Sequence, residues 1–267
     1  MNSLKADDPS ANNPVKRALV TGAARGIGLA SADLFAEAGW SVVLLDWDGD
    51  ELAKVAAQRP DMLALEADVS DPKRVVEVAK ELAETGDLNA LVNNAGVADF
   101  GPIAEHDFAR WRHVMAVNLD GPFLMSQALA PLLQRGAERR DKTSAIVNVA
   151  SISGIRASTL RVAYGTSKAG VIHLTKQQAV EMGELGIRAN CVAPGPVDTK
   201  LALAVHTPAI RKAYHDCMPL NRYGTEREIA EAIVFLASDK ASFITGQLLN
   251  ADGGFDQAGV GLPALRE

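Results

Sequence analysis

Short apolar runs alternate with amphipathic stretches along most of this chain. The runs RALVTG (17–22), SVVLLD (41–46), MLALEAD (62–68), LNALVNNAG (88–96), SAIVNVAS (144–151), IRANCVAPG (187–195) and GQLLNADGG (246–254) are β-rich and apolar throughout. Between them, GIGLASADLFAEAG, ELAKVAAQ and KRVVEVAKELAETG carry apolar residues at helical spacing. Gly39 is a C-cap signal for the first of these, and Asp71-Pro72 opens the third. Further helices are predicted over 105–134, around 161–184 and in REIAEAIVFLAS, with a mixed, partly helical excursion at 200–221.

Strands that are apolar on both sides are strands covered on both faces, as in a parallel sheet. Their alternation with helices and the right-handedness of crossovers predict an α/β fold with one doubly wound sheet. The domain is placed at 15–267, with a flexible arm at 1–14 and a substrate lid at 200–222. A ligand of such a sheet sits at the carboxyl ends of the strands.

The turn TGAARGIG joins the first strand to the first helix. Gly22, Gly26 and Gly28 let it close and let a pyrophosphate reach the backbone, while the helix N-terminus supplies N–H donors. The spacing is G-x-x-x-G-x-G rather than the common G-x-G-x-x-G. Asp46 ends the second strand, where a carboxylate accepts from an adenosine ribose and repels a 2′-phosphate. That points to NAD over NADP. Arg25, inside the turn, pulls the other way. Asp68 ends the third apolar run and has two readings, a contact to adenine or the cap of the helix starting near Asp71.

Tyr164 and Lys168 lie four residues apart in a helical stretch, hence on one face. A free tyrosine ionises near pH ~10, and a nearby cation lowers that value. Lowering it by about three units takes roughly 4 kcal/mol. So tuned, Tyr164 exchanges a proton with a substrate oxygen near neutral pH.

Composition narrows the setting. The 267 residues carry a net charge of −6, which argues against a nucleic-acid surface. No apolar run approaches the ~18 residues of a membrane span, and the N-terminus lacks the apolar core of a secretory signal. Two cysteines, Cys191 and Cys217, make neither a disulfide framework nor a metal site, and five scattered histidines show no ligand spacing. A reducing cytoplasm and no metal are the expectation.

In order along the chain come TGAARGIG, Asp46, Asp68-Val69, NNAG (93–96), Asn118 in VNLDGPF, Ser151 in NVASISG, YGTSK (164–168), PGPVDT (194–199) and ITGQLLNADGG (244–254). With these the chain resembles the short-chain dehydrogenase/reductase family over about residues 15–255. The resemblance implies a Rossmann-type sheet of seven parallel strands. It implies a catalytic tetrad of Asn118, Ser151, Tyr164 and Lys168. Tyr164 is then the acid/base, and Lys168 lowers its pKa and binds the nicotinamide ribose. Ser151 orients the substrate oxygen, and Asn118 distorts its helix and holds a water linking Lys168 to solvent. Ser153 is the rival to Ser151. Cofactor contacts implied are Gly22, Arg25, Gly26, Ile27, Gly28, Asp46, Asp68, Val69, Asn94, Ala95, Gly96, Tyr164, Lys168, Pro194, Gly195, Val197 and Thr199. Asn93 would stabilise the central strands.

The lid segment LALAVHTPAIRKAYHDCMPLNR is mixed in polarity and has no arginine cluster for a phosphate. A small, neutral, polar secondary alcohol or ketone, such as a polyol or sugar, is the expected substrate. A 3-oxoacyl-thioester reductase and a catalytically idle nucleotide sensor or scaffold are the alternatives. Family members are commonly homotetramers packed through the long helices, and the C-terminal tail could reach across such an interface.

Overall fold

The computed structural model describes residues 15–140, 142–199 and 206–258. The expected arm at 1–14, the first part of the lid at 200–205 and the tail from 259 lie outside the described residues. The strands are β1 (Arg17–Thr21), β2 (Ser41–Asp46), β3 (Leu63–Glu66), β4 (Ala90–Asn93), β5 (Ser144–Val149), β6 (Ile187–Pro194) and β7 (Leu248–Ala251). The helices are α1 (Gly26–Glu37), α2 (Gly49–Ala57), α3 (Pro72–Thr85), α4 (Phe108–Met115), α5 (Gly121–Glu138), α6 (Val162–Met182), α7 (Pro208–Cys217) and α8 (Glu226–Ala237).

All seven strands are parallel, in the order β3-β2-β1-β4-β5-β6-β7. The chain winds outward from β1, then returns to β4 and winds the other way. Strand order therefore reverses between β1 and β4, and their carboxyl ends, Thr21 and Asn93, border the crevice.

Alternate residues feed opposite faces, as the pleat requires. Ala18, Val20, Val42 and Leu44 pack with α1, α2 and α8. Leu19, Val43 and Leu45 pack with α3 and α5. Burying each such leucine or valine is worth about 1.5–3 kcal/mol, so this two-sided core holds the strand ends rigidly.

The single long helix expected at 105–134 is broken. α4 stops at Met115, a π-helical turn spans Ala116–Asp120, and α5 runs on to Glu138. Gly121 N–H bonds to Ala116 C=O, five residues back. Pro122 has no N–H to give to Asn118, four residues back, so the regular ladder cannot continue through this point. Asn118, fully buried, sits in the middle of that turn.

The third strand ends at Glu66, two residues before Asp68. Asp71, not Asp68, caps α3, accepting from Lys73 N–H at 2.9 Å with Pro72 at the first helical position. The exposed Asp68 carboxylate instead accepts from the backbone N–H and hydroxyl of Ser70, at 2.8 and 2.7 Å. The helical-cap reading of Asp68 is therefore corrected. Val69 is buried against the core and Gly121, where an added Cβ would lie 2.7 Å from its Cγ2.

Candidate active site

The β1–α1 turn is tied to β4 by side chains. Thr21 Oγ1 donates to Val92 C=O and accepts from the N–H groups of Asn94 and Ala95, all within 3.2 Å. Asn94 Nδ2 donates to the carbonyls of Thr21 and Gly22. A Cβ on Gly28 would lie 2.1 Å from Gly22 C=O, and Gly22 has φ +65°, so both positions require glycine. No side chain caps α1 and no acid lies in its first turn. The helix thus offers N–H donors and the positive end of its dipole to an anion.

Asp46 is buried at the end of β2. Its carboxylate accepts from Ala24 N–H at 2.9 Å and from Asp48 N–H at 3.1 Å, fixing the turn from beneath. Arg25 points away from the strand end and pairs with Asp48, which also caps α2 through Glu51 N–H. Hydrogen bonds from Glu51 N–H and then from Arg25 hold the Asp48 carboxyl below its usual range.

A cavity of about 240 Å³ opens at the carboxyl ends of β4, β5 and β6. Ser151, Tyr164 and Lys168 line it together with Asn94, Gly96, Pro194, Gly195, Val197 and Thr199. Tyr164 and Lys168 are successive turns of α6. Ser151 is buried just after β5, and its Oγ accepts from Ser153 N–H at 3.1 Å. Ser151 lies close enough to the Tyr164 hydroxyl to act on it, in the direction that lowers its pKa. Of the two serines Ser151 is thus the one on the tyrosine, while the Ser153 hydroxyl meets that of Ser158 at 3.2 Å.

Lys168 Nζ donates to Val149 C=O at 2.7 Å and stands 5.8 Å from the Tyr164 ring centre. Burial pushes its pKa down to about 8, with a partial counter-effect from the Cys191 thiol. Tyr164 behaves differently from the sequence expectation. Crowding around its hydroxyl raises its pKa, and Ser151 and the charge of Arg161 act in the lowering direction. Lys168 is not among the groups that shift Tyr164, and its ammonium is turned onto the Val149 carbonyl.

Asn118 does not bond to Lys168. Its Nδ2 donates to Ser167 Oγ at 3.0 Å and to Val97 C=O at 2.9 Å. Gly96 lies between the two: a Cβ there would be 3.3 Å from Asn118 Oδ1 and 3.4 Å from Lys168 Nζ. Asn93 Nδ2 donates to Asn148 Oδ1 at 2.8 Å across the β4–β5 pair and to Ser126 Oγ at 3.2 Å. Pro194–Thr199 is held by Asp252 against Gly195 and by the pairing of Val197 with Gly224. Among the described residues no cluster of His, Cys, Asp or Glu could hold a metal ion.

The model of the family described as enoyl-(acyl carrier protein) reductase matches residues 22–256. Galactitol 2-dehydrogenase (L-tagatose-forming) of Cereibacter sphaeroides is 38% identical over 89% of this chain and 94% of its own. Cis-4-hydroxycyclohexanecarboxylate dehydrogenase of Sinomonas cyclohexanicum is 41% identical over 89% and 95%. The solved structure of Thermoplasma acidophilum aldohexose dehydrogenase superposes with a TM-score of 0.81 at 34% identity, covering 92% of this chain and 95% of that one.

The chain belongs to the short-chain dehydrogenase/reductase family.

As a member of that family it is an oxidoreductase that acts on CH–OH groups with a nicotinamide nucleotide. The glycine turn, its uncapped helix and the buried carboxylate at the end of β2 fit such a nucleotide. The family motifs account for one wall of the cavity. The opposite wall, which no motif marks, is made by Phe100, Arg161, His206 and Tyr214. It continues into a second space of about 760 Å³ that also touches Arg156 and Phe255. The lid segment pointed to His206 and Tyr214. Arg161 carried one usable signal, its position three residues before Tyr164 at the start of the helix.

Proposed function

We propose that the enzyme interconverts a small secondary alcohol of the polyol or sugar type and its ketone, with NAD as the preferred nucleotide. The observation that carries this reading is that Ser151, Tyr164 and Lys168 line one cavity at the strand ends, with Lys168 one turn from Tyr164. Support for the substrate class comes from the polyol and sugar dehydrogenases among its relatives.

In this reading Gly22, Arg25, Gly26, Ile27 and Gly28 approach the pyrophosphate, and Asp46 meets the adenosine ribose. Asp68 and Val69 border the adenine side, Asn94, Ala95 and Gly96 the middle, and Pro194, Gly195, Val197 and Thr199 the carboxamide side. The bound nucleotide supplies a hydride acceptor in oxidation and a hydride donor in reduction. Ser151 donates to the substrate oxygen and aligns it with Tyr164. Tyr164 Oη takes the hydroxyl proton in oxidation and returns it in reduction. Lys168 spends one of its three donors on Val149 and keeps two for the ribose and the proton path. Asn118 keeps Gly96 and the loop after β4 in place beside Lys168.

NAD rather than NADP follows from Asp46. A second carboxylate, Asp48, already pairs Arg25, so no free cation awaits a 2′-phosphate in the turn. We further read the enzyme as a cytoplasmic homotetramer built on α4, α5 and α6. Phe108, Phe123 and Val180 on those helices are exposed, and Cys191 and Cys217 are free thiols. A 3-oxoacyl-thioester substrate is the second reading, favoured by the apolar side chains Phe100, Ile210 and Phe255 around the larger space.

A panel of alditols, sugars, hydroxy acids and 3-hydroxyacyl thioesters, followed by nucleotide absorbance with NAD and with NADP, tests these readings together. Turnover of small secondary alcohols with NAD is the expected result. Turnover confined to thioesters would replace it with the second reading. Nucleotide binding without turnover of any alcohol would leave a sensor.

A further inference from the structure

Arg161 is a charge without a counter-charge at the substrate end of the cavity. It immediately precedes α6, is half-buried, and lines both the small space at Tyr164 and the larger one beside it. Its guanidinium carbon lies 4.7 Å from the Phe100 ring centre and 5.5 Å from that of Tyr164. These two rings fix the fork in the cavity wall.

The acids around this space are already engaged. Asp256 accepts from Arg156, Asp198 from Arg211, and Asp99 from Arg110. Among the described residues, Arg161 makes no ion pair. The lid stretch Lys-Leu-Ala-Leu-Ala-Val at 200–205 contains no acid in its sequence. The other charge-bearing groups facing the space add to the positive balance or stay neutral. His206 shares both cavities with Arg161 and accepts from or donates to the Tyr223 hydroxyl at 3.0 Å. Burial, then the charges of Arg161 and Arg211, lower its pKa and keep it an uncharged partner at neutral pH.

A half-desolvated guanidinium is stabilised by a carboxylate that it can grip with two parallel N–H bonds. Resting on the oxidoreductase reading of the same site, we propose that the substrate is a hydroxy acid whose carboxylate is bound by Arg161 while its secondary hydroxyl meets Ser151 and Tyr164. The closeness of Arg161 to the Tyr164 ring sets the reach. The carboxylate lies only a few bonds from the reacting carbon, on the same small molecule. A phosphate at the far end of a long thioester carrier would not reach this position. Within the polyol or sugar class the site therefore favours the acid form, such as an aldonate, over the neutral one. Ser158 and Thr159, on the wall beside Arg161, offer hydroxyls to the rest of a polar skeleton.

The test compares each acid with its neutral twin on the full-length enzyme. Suitable pairs are an aldonate with its aldonamide and cis-4-hydroxycyclohexanecarboxylate with its carboxamide. In wild type, kcat/KM for the better acid should exceed that of its amide by roughly a hundredfold, the scale of a desolvated charged contact. In Arg161→Met that ratio should fall close to one, and Arg161→Lys should restore part of it. The ratio is insensitive to any effect of Arg161 on Tyr164, because such an effect acts on both twins alike. A wild-type ratio near one, or a ratio unchanged in Arg161→Met, overturns the proposal. Should no pair be turned over although the nucleotide binds, the oxidoreductase reading fails separately. The carboxylate site is then read by thermal shift of the enzyme–nucleotide mixture. Stabilisation by the acids, lost in Arg161→Met, supports it, and its absence in wild type overturns it.

Discussion

Asn118 satisfies both polar groups of the Val97 peptide unit pair: its Oδ1 accepts from Val97 N–H at 2.8 Å and its Nδ2 donates to Val97 C=O at 2.9 Å. The side chain thus acts as a strand substitute for the loop after β4, and the π-helical turn aims it there. With Ser167 as its third partner it also joins this loop to α6. Its alanine variant leaves a buried N–H and C=O unpaired, each costing about 1–3 kcal/mol. Asn118→Ala should lose about 3 kcal/mol in urea unfolding, together with most turnover. A loss below about 1 kcal/mol would mean that water replaces the amide and that the loop is held by other contacts.

Tyr164→Phe keeps the ring between Arg161 and Lys168 and removes only the hydroxyl. Turnover should drop by about 10²-fold or more, the usual worth of a positioned acid/base. Nucleotide affinity should stay close to wild type. Burial raises the tyrosine pKa, so the phenolate fraction keeps growing with pH through and above the neutral range. Alcohol oxidation in wild type should therefore climb with pH. A flat profile would take the proton transfer away from Tyr164.

Nucleotide choice turns on two neighbouring acids. In the proposed reading Asp46 blocks a 2′-phosphate, while Asp48 occupies Arg25. Asp46→Ala should raise the NADP-to-NAD ratio of kcat/KM by about tenfold, equivalent to ~1.4 kcal/mol. Adding Asp48→Asn frees Arg25 and should raise the ratio further. If the single variant leaves the ratio where it was, Asp46 serves only to hold Ala24 N–H.

Much of this site was readable in the chain because it is local. The turn at 21–28, the end of β2 at Asp46 and the Tyr164–Lys168 spacing all follow from residues near one another in sequence. What escaped depends on contacts across long separations. Helical periodicity runs straight through Ala116–Asp120; the resemblance already implied a distortion at Asn118, and the fold adds its form, a π-helical turn that aims Asn118 at Val97. The choice between Ser151 and Ser153 rested on spacing, and the effect of Ser151 on Tyr164 is what distinguishes them in the fold. The interaction of Lys168 with Tyr164 was judged from charge alone. Desolvation, invisible in a sequence, lowers the lysine pKa and raises that of the tyrosine. Arg161 carries no motif, and the chain does not show which acids are already paired.

Lys168 also makes a prediction about stability in which the sign is decisive. Its pKa falls from 10.5 to about 8 on burial. Below pH 8 the lysine is protonated in both states, and the folded protein bears the full cost of a buried ammonium. Between about pH 8 and 10.5 the unfolded chain binds more protons than the folded one, so this contribution to stability rises with pH. Its size is about 3 kcal/mol, from the difference between the two values. Lys168→Met removes the charge while keeping a flexible stem of similar length. The variant should be catalytically dead yet more stable than wild type at pH 7, by up to that amount less the lost bond to Val149. The margin should shrink steadily as unfolding is measured from pH 8 towards 10. A margin that is absent at pH 7, or that does not change with pH, would show that water reaches Nζ in the free enzyme. The low pKa would then have to come from the bound nucleotide rather than from the fold.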